Sequence, residues 1–304
     1  MAKLKPKQQS GYDMDQVRRE YLGYLQKIQQ SGPKQIKAIT RVIKAFGCYL
    51  QKNAVKLTGI NIEHVDSFLA MFNAPYAKTT KRLYRSYLRC FLRYLYTERK
   101  LIRQNLADLL IGPPMFAKAK PPQFLRPNEV RQLFDRLPHS TACELRTYAQ
   151  VHLAYYLGLR PIEISLITLD DISFAKGFLD LKNRKNNRPL QLPVPEEVLK
   201  AMTAYIVGGR PKSHYRSLFL IFWPDTTPMS ASLTAQYLTK ALREAGLPGT
   251  AYWLRHTFAQ NMLETGASIF EIKEMMGHDT IESTRKYLGI HKELMRRVLF
   301  YETI

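Results

Sequence analysis

The chain has 304 residues, enough for two domains that each bury a core, and its 46 Lys and Arg against 25 Asp and Glu give a formal net charge of +21. Residues 1–120 hold 23 of the Lys and Arg residues but only 7 of the Asp and Glu residues. A charge distribution this uneven indicates a polyanionic partner, and we expect nucleic acid. The three cysteines lie far apart without a CxxC pair, which argues against a disulfide framework and a zinc site and favours a reducing cytoplasm.

Helical spacing of apolar residues predicts four helices in the N-terminal half. They begin near Asp13, near Ile36, after a cap at or beside Asn61, and near Thr79. In the fourth helix the apolar residues fall on one side, which we expect to be buried: Leu88, Phe91, Leu92 and Leu95.

Another side of this fourth helix carries a row of five cations at helical spacing: Lys81, Arg82, Arg85, Arg89 and Arg93. Such a row can follow a phosphate backbone, with tyrosine and serine hydroxyls between the charges. A solvated basic face is the alternative interpretation. Because no acid before Glu98 balances these charges, we expect the row to contact DNA.

A proline-rich stretch separates the two halves, since its prolines block both helices and sheet ladders. We therefore predict a helical N-terminal domain over 1–111, a linker over 112–125, and a second domain over 126–304 whose first helix begins at Arg126-Pro127-Asn128-Glu129.

A further helix of the second domain is predicted from Leu145 to Leu157. Pro161 suits the first turn of the helix that follows, so Arg160 is expected at a rigid helix-to-helix junction. Two alternating runs, 178–181 and 190–194, predict strands joined by a polar hairpin turn. Further on we expect a strand-like run at 218–223 and a helix from Ser232 to Ala245.

The last quarter of the chain carries three more motifs that could act on a phosphodiester. Arg255 and His256 follow Tyr252, His278 follows a glycine, and Thr284-Arg285-Lys286-Tyr287 ends nine residues later in a tyrosine.

With Gly158-Leu159-Arg160-x-x-Glu163 upstream, these motifs resemble the tyrosine recombinase family, also called the phage integrase family, in its simple Xer/Cre-like two-domain form. The resemblance implies a mainly α fold with a small antiparallel β-sheet. It also implies a helical core-binding (SAM-like) domain that clamps DNA, followed by a catalytic domain with a C-terminal helix.

By this match Arg160, Arg255 and His278 would hold the scissile phosphate, and Tyr287 would attack it. A planar guanidinium forks onto two phosphate oxygens and keeps its charge, so arginine suits this task. Glu163 would help to orient the site, although a simple helix salt bridge is the alternative. His256, beside the second arginine, would be a supporting residue.

The family carries a lysine on the hairpin turn, eight residues before the proline that closes the second strand. Counting back from Pro193 gives Lys185, and Lys182 is the alternative because hairpin length varies. This lysine would protonate the leaving 5′ oxygen. A plain phosphate-binding basic turn is the other interpretation.

One position departs from the family. Tyr252 stands three residues before Arg255, where the family has a histidine. An imidazole titrates near neutral pH, whereas a phenol with a pKa of about 10 is mostly a fixed donor. We expect Tyr252 to hydrogen-bond the phosphate but to handle protons poorly.

The resemblance implies a site-specific DNA recombinase that works through a 3′-phosphotyrosine intermediate and a Holliday junction, without a metal or other cofactor, in integration, excision or resolution of a mobile element. Its partner would be double-stranded DNA with an inverted-repeat core site, bound by a dimer, with two sites paired in a tetramer and accessory proteins as further partners. No membrane association is expected, and the protein would be cytoplasmic and nucleoid-associated. Two alternatives stay open, a catalytically impaired relative that only binds DNA and a type IB topoisomerase-like enzyme.

Overall fold

The computed structural model describes residues 13–28, 32–112, 122–182, 189–277 and 284. The chain divides into two compact units, Met1–Phe116 and Ala117–Ile304. Most of the predicted linker, residues 113–121, lies outside the described residues.

The N-terminal unit is all helical in its described part. Its helices are α1 (Met14–Ile28), α2 (Pro33–Lys52), α3 (Ile62–Asn73), α4 (Lys78–Thr97) and α5 (Leu106–Leu109), with a short 3-10 turn at Leu57–Gly59. Two of these helices begin at clear start signals. Pro33 occupies the first turn of α2, and the side chain of Asn61 accepts a hydrogen bond from the backbone N–H of His64 at 3.0 Å, so the predicted cap of α3 is confirmed.

The core of this unit is built from aromatic and aliphatic stripes. Leu88, Phe91, Leu92 and Leu95 of α4 are all fully buried, as their spacing predicts. Phe91 packs on Tyr21 of α1 with ring centroids 5.1 Å apart, and Phe46 of α2 packs on Phe68 of α3 at 5.0 Å.

The C-terminal unit combines helices with one small sheet. Its described elements are α6 (Pro127–Arg136), α7 (Ala142–Tyr156), α8 (Pro161–Leu166), β1 (Ile172–Ser173), β2 (Phe178–Leu181), β3 (Leu190–Pro193), α9 (Glu196–Gly208), α10 (Ala231–Glu244), α11 (Ala251–Glu264) and α12 (Ile269–Met276). The strands form an antiparallel sheet in the order β1-β2-β3, with Leu179 opposite Leu192 and Leu181 opposite Leu190. The predicted fold class, mainly α with a small antiparallel sheet, is confirmed.

The strand expected over 218–223 is wrong. Only isolated bridges form there, between Leu220 and Pro228 and between Thr168 and Ser217. Side chains take up the polar groups of Leu220: Arg146 of α7 donates to its carbonyl at 2.8 Å and its N–H donates to the Tyr205 hydroxyl at 3.4 Å, while the Arg146 guanidinium lies 4.5 Å from the ring centroid of Phe222. Trp223, at the end of the run, is 82% exposed.

No helix in the described part of the chain is long and apolar enough to cross a lipid bilayer.

A buried histidine links α7 to α6. His152 is 4% exposed and lies among aromatic rings, 5.0 Å from Phe134 and 4.2 Å from Tyr148 between centroids, and its Nδ1 donates to the Tyr148 carbonyl at 2.9 Å. Burial lowers the pKa of His152, although the hydrogen bond to Tyr148 opposes the shift. The folded unit therefore favours the neutral imidazole.

We expect the C-terminal unit to lose stability as the pH falls below about 6.5, the value of an unperturbed histidine, towards the lowered pKa of the folded state. His152→Phe keeps an aromatic ring at this position and removes the titratable imidazole, so this part of the pH dependence of stability should disappear. Both tryptophans, Trp223 and Trp253, lie in this unit, so tryptophan fluorescence during urea unfolding measures it. His214→Gln, at an exposed histidine, is the control that should keep the wild-type dependence; an unchanged slope in His152→Phe would show that His152 is not its source.

Candidate active site

The first arginine of the predicted site lies where one helix ends and the next begins. Gly158 follows α7 with φ of +61°, a left-handed conformation that favours glycine, and a Cβ there would lie 2.3 Å from the ring of Phe258. Arg160 is then the N-cap of α8, with Pro161 in the first turn. Its backbone N–H donates to the Glu163 carboxylate at 2.7 Å, so the residue is held at its backbone as well as its side chain.

Glu163 lies between the two predicted arginines. Nη1 of Arg160 donates to its Oε1 at 2.9 Å, and Nη1 of Arg255 lies 3.6 Å from its Oε2. The side chains of Glu163 and Arg255 are 2% and 4% exposed, whereas that of Arg160 is 19% exposed. The carboxylate therefore contacts both guanidinium groups, which is more than a simple pair along one helix would give.

Both arginines also bind the end of α12. Arg160 Nη2 donates to the carbonyl of Gly277 at 2.8 Å, and Arg255 donates to the carbonyls of Met276 and Gly158. Gly277 ends the helix with φ of +58°. The guanidinium groups thus satisfy carbonyls that a helix end leaves without intrahelical partners, and they fix the residue that directly precedes His278 in the chain.

The cluster of two arginines and one glutamate has a formal charge of +1. The buried carboxylate of Glu163 offsets one positive charge. The other remains available to a ligand at Arg160, whose side chain is the more exposed of the two arginines. Such a site can bind a phosphodiester with a fixed, charge-assisted geometry.

The two other predicted residues of α11 differ in exposure. Tyr252 is 52% exposed in the first turn, one turn before the buried Arg255, and His256 is half-buried. Thr257, on the same helix, accepts a hydrogen bond from the backbone N–H of Leu125 at 2.9 Å, which fastens the start of this unit to α11.

Of the two candidate lysines, the structure describes only one. Lys182 directly follows β2, is 60% exposed, and places Nζ 2.8 Å from Oδ1 of the buried Asp171. The hydrogen bond and the charge of Asp171 raise the pKa of Lys182. Lys185, His278 and Tyr287 lie outside the described residues, and their predicted roles stay predictions.

In the N-terminal unit the predicted basic row lies along the surface of α4. Arg82, Arg89 and Arg93 are exposed, and Lys81 and Arg85 are half-buried. Arg93 pairs with Asp108 at 3.5 Å, so it is partly neutralised.

Sequence reasoning missed a second basic row, on α2. Lys37, Arg41 and Lys44 are exposed at spacings of four and three, opposite the buried Ile39 and Val42. The same helical spacing that revealed the row on α4 could have revealed this one. Arg41 donates to the hydroxyl of Tyr76 at 2.6 Å, and because Tyr76 stands two residues before α4, it lies beside the start of that helix.

Within residues 13–28, 32–112, 122–182 and 189–277, no group of three or more His, Cys, Asp or Glu could hold a metal ion.

We expect Glu163→Gln to destabilise the C-terminal unit by about 3 kcal/mol, because removal of the carboxylate charge leaves the buried Arg255 uncompensated. Glu129→Gln is a matched control. Glu129 accepts a hydrogen bond from the N-cap N–H of α6 at 2.7 Å, as Glu163 does for α8, and its substitution should cost at most about 1 kcal/mol. Urea unfolding followed by tryptophan fluorescence measures both, and equal losses would mean that Glu163 acts only as a helix cap.

Comparison with known proteins identifies the family of the chain. The phage integrase family matches residues 123–293. A tyrosine recombinase of Thermosipho africanus is 26% identical over 286 residues, covering 91% of this chain and 96% of its own length. The tyrosine recombinase XerD of Staphylococcus epidermidis is 26% identical over 301 residues, covering 94% and 97%.

Solved structures share the fold. The XerH site-specific recombinase bound to a palindromic difH substrate aligns with a TM-score of 0.74 at 17% identity, covering 95% of this chain and 84% of that one. A lambda integrase dimer bound to a COC′ core site aligns with a TM-score of 0.67 at 18% identity, covering 90% and 94%. The chain belongs to the phage integrase family, the tyrosine recombinases, which are site-specific recombination enzymes.

Proposed function

We propose that this chain cleaves and rejoins DNA strands at a specific site through a 3′-phosphotyrosine formed on Tyr287. The observation that carries the proposal is the buried cluster of Arg160, Glu163 and Arg255, which is fixed to the residue before His278. Two guanidinium groups held by one carboxylate form a phosphate site whose geometry is set before DNA arrives.

In the proposed cleavage step Tyr287 loses its phenolic proton to solvent, the phenolate oxygen attacks phosphorus, and the bond from phosphorus to the 5′ oxygen breaks. Arg160 and Arg255 stabilise the charge that develops on the non-bridging oxygens, with His278 and Tyr252 as further donors. Lys185 gives a proton to the leaving 5′ oxygen. The covalent bond conserves the energy of the phosphodiester, so a 5′ hydroxyl from another strand can reverse the step.

The basic rows of the N-terminal unit support DNA as the partner. Arg82 and Arg89 are exposed cations on one helix, and Lys37 and Arg41 provide more on α2. Charges in such rows bind phosphates along a duplex without reading its sequence.

For the assembly, we infer a dimer on each inverted-repeat core site and a tetramer in which two sites exchange strands through a Holliday junction. Support comes from the relatives, since a lambda integrase dimer is seen on a core site and XerH on a palindromic substrate. The amphipathic stretch Lys292–Tyr301, which lies outside the described residues, is a candidate contact between protomers. The reaction would serve integration, excision or resolution of a mobile element, with accessory proteins as further partners.

The exposed Tyr252, at the position of a family histidine, favours a second candidate: an impaired relative that binds its site without cleaving it. This protein would give a specific complex with DNA but no covalent adduct.

Substitution of the basic row on α4 should weaken DNA binding for electrostatic reasons. We expect Arg82→Gln with Arg89→Gln to reduce affinity at about 0.1 M salt, and to lower the slope of log K against log salt concentration by about 0.9 for each lost phosphate contact. Gel-shift titrations at several salt concentrations measure this. The matched control is Lys27→Gln with Lys56→Gln, two exposed cations of the same unit outside both rows; an equal loss in both pairs would mean that only net charge matters.

Nicked duplexes from DNA that flanks the coding sequence, incubated with the protein in EDTA, should give a protein–DNA adduct that resists denaturation. Tyr287→Phe should abolish it, because no phenol remains to attack phosphorus. Tyr252→Phe should slow adduct formation about tenfold relative to the wild type. Tyr252→His should react at least as fast as the wild type near neutral pH, because an imidazole titrates there. Tyr215→Phe is the control and should behave as the wild type. Specific gel-shift complexes without any adduct would favour the impaired relative, and relaxation of supercoils by a monomer would favour the type IB topoisomerase-like alternative.

A further inference from the structure

We propose that Arg41 reads a guanine in the target DNA, and that Tyr76 positions the Arg41 guanidinium for this contact. The inference rests on the proposed function, since it makes Arg41 a determinant of the DNA site at which this chain would act. It goes beyond the basic rows as a whole, because their charges alone would bind the phosphates of any sequence.

Arg41 differs from the other members of the two rows in the partner that holds it. Its Nη2 donates to the Tyr76 hydroxyl at 2.6 Å, and its guanidinium carbon lies 5.5 Å from the centroid of the Tyr76 ring. Of the exposed cations that the structure describes in the rows on α2 and α4, Arg41 alone has a neutral side-chain partner. Arg93 pairs instead with the carboxylate of Asp108. A phenol fixes the Arg41 guanidinium and leaves its positive charge uncompensated.

The Tyr76 hydroxyl has a fixed position because the ring that carries it is packed. This ring meets Tyr84 edge-on at 5.0 Å and Phe72 at 5.8 Å between centroids. Phe72 in turn stacks on the fully buried Phe68 of α3 at 5.2 Å. A chain of rings thus connects the hydroxyl that holds Arg41 to the core of the N-terminal unit. Part of the rotamer freedom that an arginine loses on binding is therefore lost already during folding.

The contact with Tyr76 leaves enough donors on Arg41 to recognise a base. A guanidinium has five N–H donors, and two pairs of them point in parallel: Nη1 with Nη2, and Nε with Nη2. One hydrogen bond from Nη2 occupies one pair, so the other pair keeps both of its donors. Two parallel donors match the O6 and N7 acceptors of guanine in the major groove, a contact that arginine makes more often than any other specific base contact.

The neighbours of Arg41 on α2 suit a different task. Lys37 and Lys44 are exposed four residues before and three residues after it, so one ammonium lies about one helical turn away on each side. An ammonium is a point charge on a flexible stem and binds phosphates of any sequence, whereas the planar fork of arginine also fits a base edge. The two lysines would thus hold the DNA backbone on either side of the base that Arg41 reads.

Two other roles would also use the contact between Arg41 and Tyr76. In the first, the hydrogen bond only joins α2 to the turn before α4 and has no part in DNA binding. In the second, Arg41 binds a phosphate as the two lysines would. The three roles differ in what a variant does to the base preference at single positions and to the salt dependence of binding.

The test starts from a pool of duplexes with randomised bases, from which the full chain selects its preferred sequence in gel shifts at about 0.1 M salt. Each base pair of the selected duplex is then replaced in turn, and the affinities of the wild type and the variants are measured. The wild type should select a G·C pair at one position of each half-site, and its replacement should reduce affinity about 5-fold to 150-fold. Arg41→Gln should bind all base pairs at this position about equally and keep the wild-type preference at every other position, which also shows that it is folded.

Three further variants separate the roles. Tyr76→Phe keeps the ring and removes only the hydroxyl, so it should lose part of the preference at the same base pair. In an Arg41→Gln background it should change nothing more, because its effect passes through Arg41. Lys37→Gln should instead weaken binding to all sequences alike and lower the slope of log K against log salt concentration by about 0.9. Tyr24→Phe, at a half-buried tyrosine of the same unit, is the control that should bind as the wild type.

Several results would overturn the inference. If Arg41→Gln weakens all sequences alike and lowers the salt slope as Lys37→Gln does, Arg41 is a phosphate contact. If Arg41→Gln and Tyr76→Phe keep every base preference, the hydrogen bond only joins α2 to the turn before α4. A preference lost at a base pair other than G·C would rule out guanine, and an effect of Tyr76→Phe that persists in the Arg41→Gln background would rule out positioning. A wild-type protein that selects no sequence at all would instead overturn the proposed action at a specific site, and with it this inference.

Discussion

The C-terminal unit depends on one carboxylate placed between two guanidinium groups. Arg255 is almost fully buried, and a buried cation without a counter-charge would cost several kcal/mol. Glu163 offsets that charge, and it also holds the backbone N–H and the side chain of Arg160. Three helices meet through these contacts, because Arg160 caps α8, Arg255 lies on α11, and both bind carbonyls at the end of α12. The contacts that would form the proposed phosphate site are thus also contacts that hold the local fold together.

This arrangement explains why the site can be ready before DNA arrives. The free energy required to bring two arginines together is supplied during folding, by burial of the surrounding helices and by the carboxylate, so little reorganisation is needed at the reaction step. The cluster keeps a net positive charge for the phosphate, and the exposed part of Arg160 gives access to it. In the proposed function the positive rows on α2 and α4 would attract a duplex over a longer range, and this attraction would fall as the salt concentration rises.

Local patterns predicted much of this structure, and contacts between distant segments did not follow from them. The buried face of α4 and the β2–β3 hairpin follow from residue spacing, and the resemblance of short motifs picked out Arg160 and Arg255. The sequence did not show that Asp171 would bind Lys182, or that Arg146 would bind the Leu220 carbonyl, since each contact joins segments that only folding brings together. The row on α2 was equally local but was overlooked.

The departure at Tyr252 has a structural reason for being tolerated. The residue is half-exposed in the first turn of α11, outside the buried contacts that Arg255 makes from the next turn. A phenol in place of an imidazole therefore changes the donor near the phosphate without repacking the core or disturbing the arginines. In the proposed reaction, phosphate binding thus rests on the buried, fixed arginines, and Tyr252 is a separate, exposed donor. Chemistry at position 252 can change while the phosphate site, which depends on Glu163, stays intact.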